Sequence, residues 1–299
     1  MEHASLRRQE FVARGFILVE KALAAEEVER LAYVLENALC RRKAEEPRPL
    51  CERAALNRQL THCFNLWEEE PLARALAFDE RICSIAATLL NASAIRLFLD
   101  QTFFKEPGGE PTSRHHDITR WPVRGKLLTA WIALDDITRE SGALAYIPGS
   151  QAVGPSSMLD LVTGRKWTDA QWALIDREPE YVSIQRGSIL FHDSCVFHLS
   201  APNCTQRRRR AFAIVYASEG IIRSSSLPFP PLDWDGVQVG EKLSGPRNPI
   251  AWPRSNNSLP KAPPAPPDSA TGWPPPVAAL ANANGISGDR KECGVKLRL

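Results

Sequence analysis

Apolar residues in the first part of the chain recur at helical spacing. Residues 24–39 carry apolar side chains three or four positions apart, at Val28, Leu31, Leu35 and Leu39. Residues 72–90 repeat the pattern at Leu72, Leu76, Ile82, Ile85 and Leu89. Because this spacing puts apolar side chains on one helix face, both stretches are predicted to be amphipathic helices. Residues 9–21 predict a short helix, a turn at Gly15 and an apolar strand.

From about residue 94 the pattern changes to short apolar runs separated by turn-forming residues. The runs are AIRLFLDQTFF, LLTAWIALDD, ALAYIPGS, YVSIQ, SILFHD and AFAIVYAS, and the turns include PGGEP, ESG and QRGS. The runs do not alternate with helices, which argues against a doubly wound α/β fold. The pattern predicts a mainly β protein, a sandwich or jelly roll, with flanking helices packed outside.

Proline is concentrated near the C-terminus. Eleven of the 24 prolines lie between Pro246 and Pro276, including the runs PPAPP and WPPP. Such a segment lacks backbone donors and apolar periodicity, so residues 251–299 are predicted to form an extended or disordered tail. The folded domain is then expected at 1–250, with its helices at about 1–92 and its β core at about 93–220.

Charge and hydropathy narrow the classes of partner. Lys and Arg number 37 and Asp and Glu number 35, so the net charge of +2 gives no overall field that attracts nucleic acid or an anionic membrane. No apolar run is long enough to span a bilayer, and the N-terminus lacks the apolar core of a signal peptide. We therefore expect a soluble cytoplasmic protein that binds neither membrane nor nucleic acid. Strand alternation would split the basic run at 207–210, sending Arg207 and Arg209 to one face.

The candidate chemistry begins with the sequence TSRHHDITRWP. On an extended strand, His115 and Asp117 share one face and His116 points to the other. An imidazole and a carboxylate on one face are two ligands of the facial triad that leaves three positions open on Fe(II). A third ligand must come from elsewhere, and His198 and the alternative His192 both lie in the sequence GSILFHDSCVFHLSAPN.

These motifs carry a resemblance to a known family. From about residue 11 to 249 the chain resembles the phytanoyl-CoA dioxygenase family of Fe(II)/2-oxoglutarate-dependent oxygenases. The resemblance is densest in SRHHDITRWPV, LTAWIALDDITRESGALAYIPGSQ and GSILFHDSCVFHLSAPNCTQRRRRAFAIVYAS. It implies a double-stranded β-helix core (jelly roll, cupin-like), Fe(II) as the metal, 2-oxoglutarate as cosubstrate and O₂ as oxidant.

The resemblance also assigns roles to individual residues. His115, Asp117 and His198 match the iron ligands, and the family's H-x-S-x-x-N context fits His198 rather than His192. Arg209, eleven residues past His198, matches the arginine that binds the 2-oxoglutarate carboxylate, and Ser200 matches its hydroxyl companion.

Five further residues complete the expected site. Trp131 is expected to line the cosubstrate pocket, and Gln101 and Lys105 to reach it from the preceding strand. His116 and Trp121 are expected to contact the substrate.

The implied activity is the hydroxylation, desaturation or rearrangement of a small apolar organic molecule, with release of succinate and CO₂. Because Asp117 occupies the acidic position that halogenating relatives replace with a small residue, halogenation is disfavoured. The long insertion at 152–180 is expected to act as a lid that sets specificity. The alternative is a jelly-roll binding protein whose catalytic site has lapsed.

Overall fold

A computed structural model describes residues 2–42, 50–52, 58–156, 167–255 and 258–265. The helices are α1 (Glu2–Arg14), α2 (Ala25–Arg41), α3 (Pro71–Ala77), α4 (Glu80–Leu90), α5 (Asp169–Ile175) and α6 (Pro230–Trp234). The first seven strands are β1 (Phe16–Val19), β2 (Ile95–Lys105), β3 (Thr112–His115), β4 (Val123–Arg124), β5 (Leu127–Ala133), β6 (Leu144–Tyr146) and β7 (Glu180–Tyr181). The others are β8 (Ile189–Asp193), β9 (His198–Ser200), β10 (Arg209–Ser218), β11 (Ile222–Arg223) and β12 (Ile250–Trp252).

Two antiparallel sheets form the centre of the fold. The larger sheet has the strand order β1-β8-β5-β10-β2-β12, and the smaller has the order β3-β9-β6-β7. Strands β4 and β11 form a separate two-stranded ribbon. Trp131 and Leu190 of the larger sheet pack against Leu144 and Tyr146 of the smaller one, so the two sheets face each other. This is the mainly β arrangement with flanking helices that the sequence predicts.

Side-chain alternation on the larger sheet separates the helix-covered face from the inner face. Along β5, Leu128, Ala130 and Ile132 point outward into a core shared with α2 and α4. Trp131 and Ala133 point inward, toward the smaller sheet. Both faces are therefore buried, which explains why the strand reads as a continuous apolar run.

The stretch 72–90, predicted as one helix, forms two helices, because the helical conformation is interrupted between Ala77 and Glu80. The side chain of Asp79 accepts a hydrogen bond from the backbone N–H of Arg81 at 2.8 Å and caps α4. The apolar spacing continues across this break because both helices turn their apolar sides to the same core.

The C-terminal boundary predicted at residue 250 falls inside a strand. Ile250 and Trp252 pair with Arg96 and Ile95 of β2, and Ala251 is buried. The part of the predicted tail at 266–299 and the part of the predicted lid at 157–166 lie outside the described residues. Among the helices that are described, none has the length and apolar character that crossing a membrane requires.

Candidate metal and cosubstrate site

Three side chains from two strands and one turn meet between the sheets. His115 ends β3 and lies opposite His198 of β9, with their ring centroids 4.3 Å apart. Asp117 begins a 3₁₀ turn that runs from Asp117 to Arg120. One potential ligand atom from each of the three lies within 4.8 Å of the others. The structure therefore brings together the three residues proposed from the sequence.

Local hydrogen bonds set the tautomer of both histidines. His115 Nδ1 lies 2.7 Å from the carbonyl oxygen of Ser113, and His198 Nδ1 lies 3.1 Å from that of Val196. A carbonyl can only accept, so each Nδ1 carries the proton and each Nε2 keeps its lone pair. The two Nε2 atoms lie 3.9 Å and 3.7 Å from Oδ1 of Asp117. Two imidazole lone pairs and one carboxylate oxygen thus converge on a common point.

The other oxygen of Asp117 is engaged by the protein. Oδ2 accepts hydrogen bonds from Thr129 Oγ1 and from His192 Nε2, each at 3.1 Å. His192 Nδ1 in turn accepts from the hydroxyl of Tyr146 at 2.9 Å. These contacts leave Oδ1 of Asp117 directed at His115 and His198. His192 contacts the opposite oxygen of Asp117 and lies outside the cluster of three ligand atoms.

Burial and the neighbouring charges determine the protonation of the cluster. Burial lowers the pKa of His198 to about 4 against the opposing charge of Asp117, and burial also lowers that of His115. For Asp117, burial acts to raise the pKa, but the imidazoles of His198, His192 and His115 outweigh it and hold the pKa well below its usual range. Neutral imidazoles beside an ionised carboxylate are the protonation states in which these groups bind metals.

A buried pair of cations lies on the inner face of the larger sheet. Arg209 of β10 pairs in register with Lys105 of β2, and their exposed fractions are 3% and 0%. The Arg209 guanidinium lies 5.2 Å from the ring centroid of Trp131, and its Nε and Nη1 atoms have no hydrogen-bond partner among the described residues. Burial lowers the pKa of Arg209 to about 10. A buried guanidinium without a partner is costly unless an anion binds to it.

Lys105 uses all three of its N–H groups within the protein. Its Nζ donates to Ser200 Oγ and to the carbonyl oxygens of Glu110 and Ala201, each at 2.8 Å. Burial, followed by the charge of Arg209, lowers the pKa of Lys105 to about 7. Lys105 therefore binds the hydroxyl of Ser200 next to Arg209, and its expected contact with the cosubstrate stays a prediction.

Two other expected residues lie on the same inner face. Trp131 is buried, and Gln101, opposite Ala213 of β10, is half-buried. Within the basic run, Arg209 points inward while Arg210 ion-pairs with Asp135 at 2.6 Å on the outer face. Arg207 precedes β10 and is exposed, so the alternation expected for it does not apply.

His116 faces away from the cluster, and its expected contact with the substrate stays a prediction. Its ring is fully buried, packs edge-on against Phe197 at 4.7 Å and lies with Nε2 2.5 Å from Ser156 Oγ. Strand alternation puts it on the reverse side of β3 from His115, next to the start of the insertion. Trp121 is half-buried and packs edge-on against Phe98 at 5.3 Å, one residue past the Asp117 turn.

His62 and Arg120 are two charged or titratable residues near the site that the sequence motifs do not predict. The segment 61–64 adds to the edge of β2 through bridges at Thr61 and Phe64, and it brings His62 edge-on against Phe103 at 5.4 Å. Burial, and then the charge of Arg120, lowers the pKa of His62 to about 4. His62 has no sequence signal, because it belongs to no motif and its position depends on a long-range bridge. Arg120 could have been found from its place three residues after Asp117.

Comparison with known proteins identifies the family of this chain. The family model "Phytanoyl-CoA dioxygenase (PhyH)" matches residues 11–211. "Probable alpha-ketoglutarate-dependent hypophosphite dioxygenase" of Stutzerimonas stutzeri is 26% identical over 226 residues, which are 71% of this chain and 78% of that protein. Methylphosphonate hydroxylase of Gimesia maris is 31% identical over 157 residues, or 50% of this chain, and the chain spans 56% of its length.

Solved structures support the fold. The epimerase SnoN in complex with Fe3+, alpha ketoglutarate and nogalamycin RO has a TM-score of 0.70 at 24% identity, over 84% of this chain and 99% of that one. The alpha ketoglutarate dependent carbocyclase SnoK has a TM-score of 0.69 at 24% identity, over 82% and 95%. The similarity confirms the predicted jelly roll. With the family model matching most of the chain, the protein belongs to the phytanoyl-CoA dioxygenase family.

Proposed function

We propose that this chain is an Fe(II)- and 2-oxoglutarate-dependent oxygenase that oxidises a small molecule. His115, Asp117 and His198 would bind the iron, and Arg209 would bind the distal carboxylate of 2-oxoglutarate. The observation that carries the proposal is the joint presence of three converging ligand atoms and a buried guanidinium whose Nε and Nη1 atoms have no partner in the described part of the chain.

The donor set fits Fe(II). Two neutral imidazoles and one carboxylate, all supplied from one side, form the facial arrangement that leaves positions for a cosubstrate and O₂. When bound, iron and 2-oxoglutarate supply the oxidising chemistry, with succinate and CO₂ as products. The protein's contribution is to position these groups and to exclude water from them.

Residues around the ligands fix the geometry. Thr129 and His192 hold Oδ2 of Asp117, which keeps Oδ1 directed at the two Nε2 atoms. Partners of this kind set ligand orientation and raise metal affinity. On the cosubstrate side, the planar guanidinium of Arg209 matches a carboxylate, and Lys105 holds the hydroxyl of Ser200 in place.

The relatives support a small-molecule substrate. The two curated relatives described above are named for hypophosphite and methylphosphonate, both small phosphorus oxyanions. The substrate proposed for this chain is therefore a small molecule, and the substrates named for the two relatives illustrate the size that is meant.

A matched pair of histidine variants tests the metal assignment. His198→Ala should abolish Fe(II) binding and the visible charge-transfer band that Fe(II) and 2-oxoglutarate form under anaerobic conditions. His192→Ala should keep the band and weaken metal affinity by about 10- to 100-fold, because only a hydrogen bond to Asp117 is lost. The opposite result for the pair would show that His192 is the third ligand. Intact metal binding without succinate release in air would favour a binding protein with a lapsed site.

A further inference from the structure

We propose that the substrate is a small acid with a carboxylate, phosphonate or phosphinate group, and that Arg120 binds this acidic group. This inference rests on the proposed oxygenase function and adds the chemical class of its substrate. It revises the apolar substrate expected from the sequence.

The backbone places Arg120 on the same side as Asp117. The two residues are the last and first of one 3₁₀ turn, and side chains three residues apart in such a turn lie above one another. The turn is anchored by the hydrogen bond from Ile118 N to the carbonyl of Ser194 at 3.0 Å. Trp121 follows at once and packs on Phe98. Arg120 therefore lies one turn above Asp117, on the same side of the 3₁₀ turn.

The guanidinium of Arg120 is available to a ligand. Part of the residue is exposed, while burial of the guanidinium lowers its pKa against the opposing charge of Asp117. No hydrogen bond or ion pair joins it to the described residues. Arg114 of β3, by contrast, donates to the carbonyl oxygen of Ile175 at 2.5 Å and lies 3.5 Å from Asp176 Oδ1. Arg120 lies near enough to His62 for its positive charge to contribute to lowering the pKa of that imidazole.

Charge balance then favours an anion. Asp117 is the carboxylate within the ligand cluster, and a divalent metal more than neutralises it. The two charges of 2-oxoglutarate would be met by the metal and by Arg209. Asp117 is the opposing charge that acts on Arg120, and the metal would take it up. The charge of Arg120 would then lack a counterpart among the described residues, and a substrate with its own negative charge would supply one. The fork of an arginine also matches two oxygens of a carboxylate or phosphonate, which orients the molecule as well as attracting it.

Calorimetric titration under anaerobic conditions tests the inference on the protein loaded with Fe(II) and 2-oxoglutarate. The probes are propionate, methylphosphonate and hypophosphite, with propionamide as the neutral match for propionate. We expect at least one acid to bind and propionamide not to bind. Arg120→Gln should weaken binding of that acid by about 10- to 100-fold, and Arg120→Lys by less, because lysine keeps the charge without the fork.

Arg124 provides the matched control. It is an exposed arginine on β4, four residues further along, so Arg124→Gln makes the same change of net charge outside the site and should leave acid binding unchanged. The proposal is overturned if no acid binds the wild-type protein, if propionamide binds as tightly as propionate, or if Arg120→Gln binds acids normally. It is also overturned if Arg120→Gln weakens 2-oxoglutarate binding as much as acid binding, since Arg120 would then serve the cosubstrate. Failure of the wild-type protein to bind Fe(II) and 2-oxoglutarate would instead refute the proposed function.

Discussion

Replacing Arg209 should separate cosubstrate affinity from stability. The guanidinium is 3% exposed and offers Nε and Nη1 without a protein partner, so the 2-oxoglutarate carboxylate would be their partner. Losing a charge-assisted, two-pronged contact costs roughly 2–4 kcal/mol, which corresponds to about 30- to 1000-fold in affinity. Arg209→Met should show this full loss. Arg209→Lys should show a smaller one, because it keeps the charge.

The same substitution should stabilise the protein in the absence of ligands. An unpaired buried cation pays for desolvation without a compensating ion pair, and a methionine of similar length removes that cost. The gain is expected to be at least about 1 kcal/mol, or about 2 °C or more in melting temperature for a domain of this size. A higher melting temperature together with weaker 2-oxoglutarate binding is the result expected when the residue replaced is a buried charge that serves to bind a ligand.

The assays are 2-oxoglutarate titration in the presence of Fe(II) under anaerobic conditions, and thermal unfolding without ligands. Arg210→Met is the control, because Arg210 ion-pairs with Asp135 and Glu36 on the outer face of the same strand. It should lose stability and keep its affinity for 2-oxoglutarate. Normal affinity in Arg209→Met, or equal losses in both variants, would refute the assignment.

Two further predictions concern the neighbourhood of Lys105. Lys105 has a pKa of about 7 in the folded protein because of burial and the charge of Arg209, against the ordinary value of 10.5. At pH values between about 7 and about 10.5 the unfolded chain therefore binds more protons than the folded protein, so the free energy of unfolding should rise with pH over this range. Lys105→Met should reduce this rise, as measured by urea unfolding at several pH values. A Cβ at Gly142, where φ is +94°, would lie 2.9 Å from Lys105 Cδ and 3.2 Å from the carbonyl of Ala201, so Gly142→Ala should cost about 1–3 kcal/mol. Gly154→Ala, at φ +80° with nothing within 4 Å, should cost less, and equal losses in urea unfolding would contradict the packing argument.

The sequence predicts those parts of the site that depend on short-range spacing. The H-x-D motif and strand alternation put His115 and Asp117 on one face and His116 on the other, as the structure has them. Alternation likewise separates Arg209 from Arg210, which ion-pairs with Asp135 on the outer face. Each of these predictions needs only the direction of side chains along one strand, which the backbone fixes locally.

Properties that depend on partners across the sheet were not predictable from the pattern. His192 could have been a ligand until its contacts with Asp117 and Tyr146 were known. Lys105 has the right position to meet the cosubstrate, but its three acceptors come from residues far along the chain or across a turn. Strand β12 was hidden by the prolines around it, because edge pairing with β2 leaves little trace in a three-residue sequence.

The segments 113–115 and 196–198, which fix the histidine tautomers, affect how the sequence around the site can evolve. Ser113 and Val196 each supply a backbone carbonyl that accepts a hydrogen bond from Nδ1 of the histidine two residues later. No side chain elsewhere is needed to keep the proton on Nδ1. Substitutions in the helices, in the insertion or in the outer core can therefore accumulate without inverting the donor pattern. Any pair of facing strands that positions these two segments in the same way will therefore have imidazoles with the proton on Nδ1 and the lone pair on Nε2. The surrounding loops can vary in sequence without changing these tautomers.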